Sequence, residues 1–430
     1  MRAAAALLAG LAIAVSGCGG SDGNNVAVRG ADAVQLVPPD ALAFVSADAN
    51  LDSKQWRTVL ELTGELFLPK GYERDIRPAL GDEVNLALLG VDGGKPEAIA
   101  LVHPKDEAKL RDFAAGFDSK DEHYTVEQIG GWHVVADSAE AFAAVRAAES
   151  GRSLADVEGF QKAMRAVAGD SLATAYADGA RLGDVSGELG ALFRVSGAHS
   201  WVGARIIAED NAARVSVRTD ADAAVFRPRL LREVPSGALL AITFKDAREL
   251  LERIQGEPSL RDALGEYRAL LSDLAPALQG EGVFYVAPGV LLPTLVLAVE
   301  TSDPAVASSL QRVADRVSAE TGKVLQLHVF TSGNRVFLTN AATGAPPRPS
   351  ARLVDDQPFK DALAAADAPQ DVTWLAYADL QRLVPIVQTL AQLLGAEAPS
   401  GAETRRLDRL GTLVAFGATN RLELRITGRE

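Results

Sequence analysis

The sequence predicts an α+β protein of two tandem-repeated units, each a mostly antiparallel sheet with helices packed on one face. Three observations lead to this prediction. Short runs of alternating apolar and polar residues are joined by glycine-rich turns, as is typical of β-hairpins. Segments with helical periodicity separate these hairpins. The same order of elements then recurs at an offset of about 200 residues, which indicates a repeat.

The chain begins with a pattern that is typical of an export signal. Met1-Arg2 provides a positive charge, Ala3 to Val15 is apolar, and Val15-Ser16-Gly17-Cys18 ends the run with two small residues and the only cysteine. As a helix, the apolar run would rise about 20 Å, short of a hydrocarbon core of about 30 Å. We therefore expect a cleaved signal over residues 1–17 and no spanning helix.

This leader resembles a bacterial lipoprotein signal peptide, in which the cysteine after two small residues is lipidated and becomes the mature N-terminus. The resemblance implies that Cys18 carries acyl chains such as palmitate and anchors the protein to the extracytoplasmic face of the cell membrane. Two or three acyl chains are enough for stable anchoring. The alternative is an ordinary secretory signal with an incidental cysteine.

Residues after Cys18 are rich in Gly, Asn, Ser and Asp without apolar periodicity, which predicts a flexible tether over residues 18–35. The first α+β repeat is predicted over residues 36–222 and the second over 233–430, with Asp220 to Arg232 as the linker. The alternative is one continuous sandwich that divides into two similar halves.

Turn residues and periodicity predict the elements of the first repeat. Predicted strands are Leu42 to Asp48, Glu83 to Gly90, Glu97 to His103, Tyr124 to Ile129, Trp132 to Asp137, Ser171 to Ala177, His199 to Ala208 and Ala213 to Thr219. Predicted helices are a segment capped by Asp52 and Ser53, Lys105 to Phe117, Ala139 to Ala148, Val157 to Val167, and a glycine-interrupted stretch that ends at Phe193.

The second half repeats short sequences of the first in the same order. The matched segments are Pro38 to Leu42 with Pro235 to Leu239, Leu80 to Glu83 with Leu278 to Glu281, Gly130 to Val134 with Gly333 to Phe337, Glu158 to Gln161 with Gln357 to Lys360, Ala175 to Asp178 with Ala376 to Asp379, and Arg214 to Arg218 with Arg421 to Arg425. This shared order favours a tandem duplication.

Composition limits the classes of partner. The net charge is −14 and the leader contributes only Arg2, so the mature body is strongly acidic. No run of Lys and Arg is present, which argues against nucleic acid and against binding of this body to an anionic membrane surface. With Cys18 acylated, no thiol is left for a disulfide, a thiolate metal site or a cysteine nucleophile.

The sequence contains no recognisable catalytic or cofactor motif. None of the five histidines falls in the spacing of a zinc site, so no metal is expected; they are His103, His123, His133, His199 and His328. His133 is expected to face Gln128 across a hairpin. Neither a nucleophile elbow nor a dinucleotide fingerprint is present.

Two acidic or glycine-rich loops resemble ligand loops only in part. Asp48-Ala49-Asn50-Leu51-Asp52 begins like a calcium loop, but Ser53 and Val59 stand where glycine and the bidentate glutamate belong. Helix capping is the preferred interpretation. Gly90 to Lys95 resembles a phosphate loop, but a strand follows it instead of a helix, which favours a hairpin turn.

Two features leave an open choice between structure and ligand binding. Apolar residues recur at helical spacing in two stretches, which predicts packing against the sheets or, alternatively, a groove for a lipid or an apolar partner; they are Leu260, Leu264, Tyr267, Leu271, Leu274 and Leu278, and Leu380, Leu383, Val387, Leu390 and Leu394. Tyr176 with Asp178, and Tyr377 with Asp379, form either core anchors at strand ends or twin ligand sites.

The segment Pro38 to Val45, together with the leader, the tether and the second pass of similar elements, resembles the bacterial family called domain of unknown function 3352. The resemblance implies export and an α+β body, and no activity or cofactor. We therefore expect a non-catalytic, lipid-anchored protein that binds a protein or envelope partner. The alternative is a carrier of a lipid or small hydrophobic solute, with an enzyme lacking any known motif as a third class.

Overall fold

The computed structural model describes residues 29–63, 72–92, 95–118, 123–197, 199–289, 292–322, 325–341, 349–393 and 407–429. The chain divides into two compact units. The first ends at Asp222 and takes in Asn420–Leu422, and the second consists of Ala223–Thr419 and Glu423–Glu430. Each unit combines α-helices with an antiparallel sheet that does not close, so the predicted α+β class is confirmed.

Eight of the described strands lie in the first unit. They are β1 (Ala43–Asp48), β2 (Glu83–Asp92), β3 (Lys95–Val102), β4 (Thr125–Ile129), β5 (Trp132–Ala136), β6 (Ala173–Ala177), β7 (Val202–Glu209) and β8 (Ala212–Thr219). Their order across the sheet is β8-β7-β6-β1-β2-β3-β5-β4. The three predicted hairpins are present as β2–β3, β4–β5 and β7–β8.

Helices connect these strands, and all but the short second one lie where the sequence predicted them. They are α1 (Lys54–Thr63), α2 (Arg77–Leu80), α3 (Glu107–Ala115), α4 (Ala139–Ser150), α5 (Glu158–Ala166), α6 (Gly179–Gly183) and α7 (Glu188–Ser196). The predicted cap of α1 is confirmed, because the Ser53 hydroxyl accepts a hydrogen bond from the backbone of Trp56 at 3.3 Å. Such a cap satisfies one of the backbone donors that a helix leaves unpaired at its start.

Eight of the described strands also lie in the second unit. They are β9 (Leu240–Lys245), β10 (Glu281–Ala287), β11 (Thr294–Glu300), β12 (His328–Ser332), β13 (Arg335–Thr339), β14 (Trp374–Asp379), β15 (Leu410–Ala418) and β16 (Arg421–Gly428). Their order is β16-β15-β14-β9-β10-β11-β13-β12. The helices of this unit are α8 (Arg248–Gly256), α9 (Pro258–Leu264), α10 (Arg268–Leu274), α11 (Ala305–Glu320), α12 (Gln357–Ala365) and α13 (Leu380–Leu393).

The prediction that helices pack on one face of each sheet is wrong. In the first unit, Leu101 lies in a core cluster with Phe142 of α4, whereas its neighbour Val102 lies in another cluster with Leu110 of α3. Because successive side chains of a strand point to opposite faces, α3 and α4 cover opposite faces of the sheet.

The second unit shows the same arrangement. Ala298 clusters with Phe359 of α12, while the next residue, Val299, clusters with Leu310 of α11. Both sheets are therefore middle layers with apolar side chains on both faces. This explains why the strand sequences alternate less regularly than strands of a sheet with one face in water.

Two segments predicted as flexible or linking are partly structured. Ala33–Leu36, at the end of the predicted tether, forms a turn of 3-10 helix whose apolar side chains are buried in the core of the first unit. In the predicted linker, Leu230 and Leu231 are buried in the core of the second unit, and Phe226 forms a β-bridge with Val372. In both cases a few apolar residues within one turn are enough to attach the segment to a core.

Candidate functional site

Cys18, the predicted lipidation site, lies outside the described residues, as do the predicted signal over 1–17 and the first part of the predicted tether. Arg29 is the first described residue and belongs to the first unit. Arg29–Asp32 is called the N-terminal cover below. Within it Gly30 is buried, while Ala31 and Asp32 are exposed.

The N-terminal cover is attached to the first unit by few contacts. The Arg29 Nε donates a hydrogen bond to the backbone oxygen of Ser171 at 3.2 Å. The Arg29 guanidinium also lies 3.9 Å from the Asp48 carboxylate, a long ion pair. Gly30 has a φ of +78°, and its carbonyl accepts a hydrogen bond from the backbone of Val34 at 2.9 Å.

A row of buried polar side chains lies beneath the cover. Ser46 at the middle of β1 is paired in register with Asn85 on β2 and with Thr174 on β6, and we call these three residues the polar row. All three are almost completely buried. In the described structure, the Ser46 and Thr174 hydroxyls and the Asn85 side-chain oxygen have no hydrogen-bond partner. Sequence reasoning missed this row because its members come from three distant segments.

The loop that resembles a calcium site binds the side chain of Arg77. The Arg77 Nη2 donates hydrogen bonds to Asn50 Oδ1 at 2.9 Å and to Asp52 Oδ2 at 2.6 Å, and its Nη1 reaches Glu73 at 3.1 Å. The Arg77 hydrogen bond lowers the pKa of Asp52. Within the described ranges, no three His, Cys, Asp or Glu side chains are grouped so that they could hold a metal ion.

The two Tyr–Asp pairs are core anchors and helix caps. Tyr176 is buried with its ring centroid 5.3 Å from Phe160, and Tyr377 lies 5.1 Å from Phe359 in the same edge-to-face geometry. Burial raises the pKa of both tyrosines to about 12.

The aspartates cap helices that follow these strands. Asp178 accepts a hydrogen bond from the backbone of Arg181 at 3.0 Å, and Asp379 accepts one from the backbone of Arg382 at 3.1 Å. The buried tyrosine rings and the capping aspartates agree with the structural interpretation of these pairs, and the alternative of twin ligand sites stays a prediction.

The glycine-rich loop and two of the histidines lie in or beside the β-hairpins of the first unit. Asp92 pairs with Lys95 across the β2–β3 hairpin. The segment Gly90 to Lys95, which resembles a phosphate loop in sequence, is therefore part of a hairpin, as predicted. Gly93 and Gly94 lie outside the described residues. His133 lies opposite Gln128, as predicted from the two-residue turn. His123 is exposed beside Asp118, at 3.2 Å.

The apolar helix stripes of the second unit are only half-buried. Leu274 packs against the cluster around Leu310, but Tyr267 in the same stripe is 56% exposed. In the second stripe, Leu380 and Leu383 are half-buried and Val387 is 52% exposed, while Leu394 lies outside the described residues. These helices therefore present apolar surface that the core of their unit does not cover.

His199 is a buried histidine of the first unit, and the sequence did not indicate its burial. His199 precedes β7, is only 5% exposed, and neither ring nitrogen has a hydrogen bond of good geometry among the described atoms. Burial lowers the pKa of His199, against smaller opposing effects of the Asp220 charge and the Ser196 backbone. No spacing motif marks it, since its burial depends on tertiary packing.

We expect the stability of the first unit to fall when the pH drops below about 6.5, the ordinary pKa of an unfolded histidine. The folded state holds His199 neutral while the unfolded chain takes up a proton, so the stability is present above pH 6.5 and is lost as the pH falls towards the lowered folded pKa. One proton corresponds to a slope of at most about 1.4 kcal/mol per pH unit.

Urea unfolding of the full-length protein at several pH values between 5 and 8 measures this slope. His199→Gln is expected to flatten the profile, whereas His123→Gln, at an exposed position, is expected to leave it unchanged. A His199→Gln profile as steep as that of the parent protein would show that this residue does not carry the pH dependence.

No family model matches the chain, and no curated protein matches it. A solved structure titled "Structure of crystal form III of TP0453" is similar over 71% of this chain and 92% of that chain, with 8% sequence identity and a TM-score of 0.26. A similarity this low assigns neither a fold family nor a function to this chain. The resemblance to the domain of unknown function 3352 stays a prediction.

Proposed function

We propose that this protein is a non-catalytic lipoprotein, anchored through Cys18 at the extracytoplasmic face of the cell membrane, whose body binds a protein or envelope partner. The observation that carries the proposal is the order of a charged start, an apolar run and Val15-Ser16-Gly17-Cys18. Among the described residues, no helix combines the length and the apolar character needed to cross a membrane. A lipid at Cys18 would supply the attachment.

The roles of the polar residues support a binding role over catalysis. Asp52 is paired with Arg77, while Asp178 and Asp379 cap helices, so these carboxylates serve the fold. A general acid or base has to reach a substrate with an accessible proton-transfer atom. Among the residues that the sequence suggested for ligand binding, these carboxylates are held by internal contacts, whereas the apolar stripes with Tyr267 and Val387 stay partly exposed.

We also propose that the two units arose by tandem duplication. Their strand orders are the same when each strand of the second unit is matched to the strand eight places earlier. Equivalent hydrogen bonds accompany this order: Leu154 donates to Val37 at 2.8 Å, and Leu353 donates to Val234 at 2.9 Å. The edge-to-face Phe–Tyr contacts recur as well. A duplicated body offers two related surfaces to a partner.

Replacement of Cys18 by Ala is expected to move the protein from the membrane fraction to a soluble fraction, because the residue that would be acylated is lost. Cell fractionation measures the distribution, and mass spectrometry of the N-terminal peptide measures the attached lipid. Ser16→Ala, which keeps a small residue two places before Cys18, is the matched control and should stay with the membrane. If Cys18→Ala still sediments with membranes as the parent does, the proposal fails.

A carrier of a lipid or small hydrophobic solute is the second candidate. The half-exposed stripes with Tyr267 and Val387 favour it, since apolar helix surface that the core does not cover can receive an apolar ligand. The same Cys18→Ala preparation tests this candidate without interference from an anchor. Lipid extraction and mass spectrometry of the soluble protein should then find bound lipid in a near-stoichiometric amount, and its absence would eliminate the carrier.

A further inference from the structure

The polar row of the first unit and the equivalent strand positions of the second unit differ in the number of buried polar side chains. Thr243, at the middle of β9, is buried with an unpartnered hydroxyl, as Ser46 is in β1. The residues paired with Thr243 are Val283 and Leu375, which are apolar. The first unit therefore buries a row of three polar side chains where the second buries one.

This burial is costly in the closed structure. A buried donor or acceptor without a partner costs about 1–3 kcal/mol relative to its hydrated state. The Ser46 and Thr174 hydroxyls and the Asn85 oxygen all lack a partner within the described structure. Exposure of Ser46 and Asn85 to water would return hydrogen bonds to both side chains, which lowers the free energy of a local opening that reaches them.

The N-terminal cover is the element that can open there. A Cβ at Gly30 would lie 2.8 Å from both Asn85 Oδ1 and Ser46 Cβ, so the Gly30 backbone lies directly on the polar row. The cover contributes no buried apolar side chain, and Ala31 and Asp32 are exposed. Its ion pair to Asp48 is long, with 3.9 Å between the Arg29 Nη2 and the Asp48 Oδ2.

The chain beyond the cover is held much more firmly. Ala33, Val34, Leu36 and Val37 are all buried in the core of the first unit. Val37 also accepts a backbone hydrogen bond from Leu154 at 2.8 Å. Opening of the cover would therefore stop at Ala33, and the rest of the unit would stay folded.

We propose that the N-terminal cover opens reversibly over the polar row while the rest of the first unit stays folded. Opening brings Ser46 and Asn85 into contact with water, and closing buries them under Gly30. The contacts of residues 29–37 do not depend on lipidation of Cys18.

The test measures the accessibility of single cysteines in the full-length protein. Ser46→Cys and Thr243→Cys are treated with N-ethylmaleimide under native conditions, and peptide mass spectrometry follows modification at residue 46 or 243. We expect Ser46→Cys to react at least about tenfold faster, because local opening requires less free energy than global unfolding. Because the readout is specific to one residue, the state of Cys18 does not affect it.

Gly30→Ala supplies the second arm, since its methyl group would collide with Ser46 and favour the open state. We expect it to increase the reaction of Ser46→Cys and to leave that of Thr243→Cys unchanged. Equal rates at the two positions, whether fast or slow, would overturn the proposal, as would a Gly30→Ala background without effect. If circular dichroism shows that Ser46→Cys does not fold, Asn85→Cys tests the same cover.

Discussion

Phe160→Ala and Phe359→Ala are each expected to destabilise their unit by about 3–5 kcal/mol, as is typical of a buried phenylalanine. Phe160 lies on α5 and packs edge-to-face on Tyr176, and Phe359 lies on α12 and packs in the same way on Tyr377. Truncation removes the buried ring, leaves a cavity and breaks an aromatic pair that stabilises the fold beyond its buried area.

Urea unfolding followed by far-UV circular dichroism measures both changes in the free energy of unfolding. Phe117→Ala is the matched control, because Phe117 is 39% exposed and should cost far less. If the units are duplicates, the two core variants should agree within the spread of such substitutions, about 2 kcal/mol. A Phe160→Ala variant as stable as Phe117→Ala would contradict the assigned core.

Local turn chemistry explains why the hairpins could be predicted from the sequence. Gly130-Gly131 between two short alternating runs defines a two-residue turn, and the register follows from it, so His133 lies opposite Gln128 as expected. The cap of α1 by Ser53 is equally local. Such signals depend on residues that are only a few positions apart, where the sequence alone contains the geometry.

Contacts between distant segments could not be predicted in this way. Arg77 donates hydrogen bonds to Asn50 and Asp52, which lie about 25 residues earlier. The oxygens of the calcium-like loop therefore bind a guanidinium group of the same chain. Ser46 is fully buried beneath Gly30, beside Asn85 and Thr174. Alternation assigns a residue to one face of a strand, but it does not show which residues of distant strands lie next to it, so the sequence gave no signal for the polar row.

The faces of the sheets were mispredicted for a related reason. Leu101 and Val102 are both apolar, which is the pattern of a strand covered on both sides. The sequence of α3 is rich in charged residues, so its narrow apolar side, Leu110 and Ala114, was insufficient to indicate a second packed layer. Helix amphipathicity shows that a helix packs, but does not show against which face.

Gly81→Ala is expected to destabilise the first unit by about 3 kcal/mol or more. Gly81 follows the last residue of α2 and has a φ of +79° and a ψ of −148°. Residues with a Cβ adopt this region at a cost of about 1–3 kcal/mol. A Cβ at this position would also lie only 1.9 Å from the backbone oxygen of His103. Relief of this overlap requires a backbone shift of more than an ångström, and such overpacking costs about 1–3 kcal/mol.

The backbone at His103 cannot move freely, so the overlap between a Cβ at position 81 and the His103 oxygen cannot be relieved without cost. The His103 ring lies on Trp132, with ring centroids 3.8 Å apart, and Trp132 is part of the main core of the first unit. A shift of His103 would therefore disturb packed core residues. Interiors packed at crystal-like density transmit such displacements instead of absorbing them.

Gly131→Ala separates the two contributions. Gly131 lies in the same unit and has a φ of +84°, but a Cβ there would meet no atom within 4 Å. Gly131→Ala should cost only the free energy that a residue with a Cβ loses in a backbone conformation of positive φ, about 1–2 kcal/mol. Equilibrium unfolding of the two variants gives the difference between them, which reports the collision with the His103 backbone. Equal destabilisation by Gly81→Ala and Gly131→Ala would mean that the α2–β2 turn moves away without cost, contrary to the close packing of His103 on Trp132.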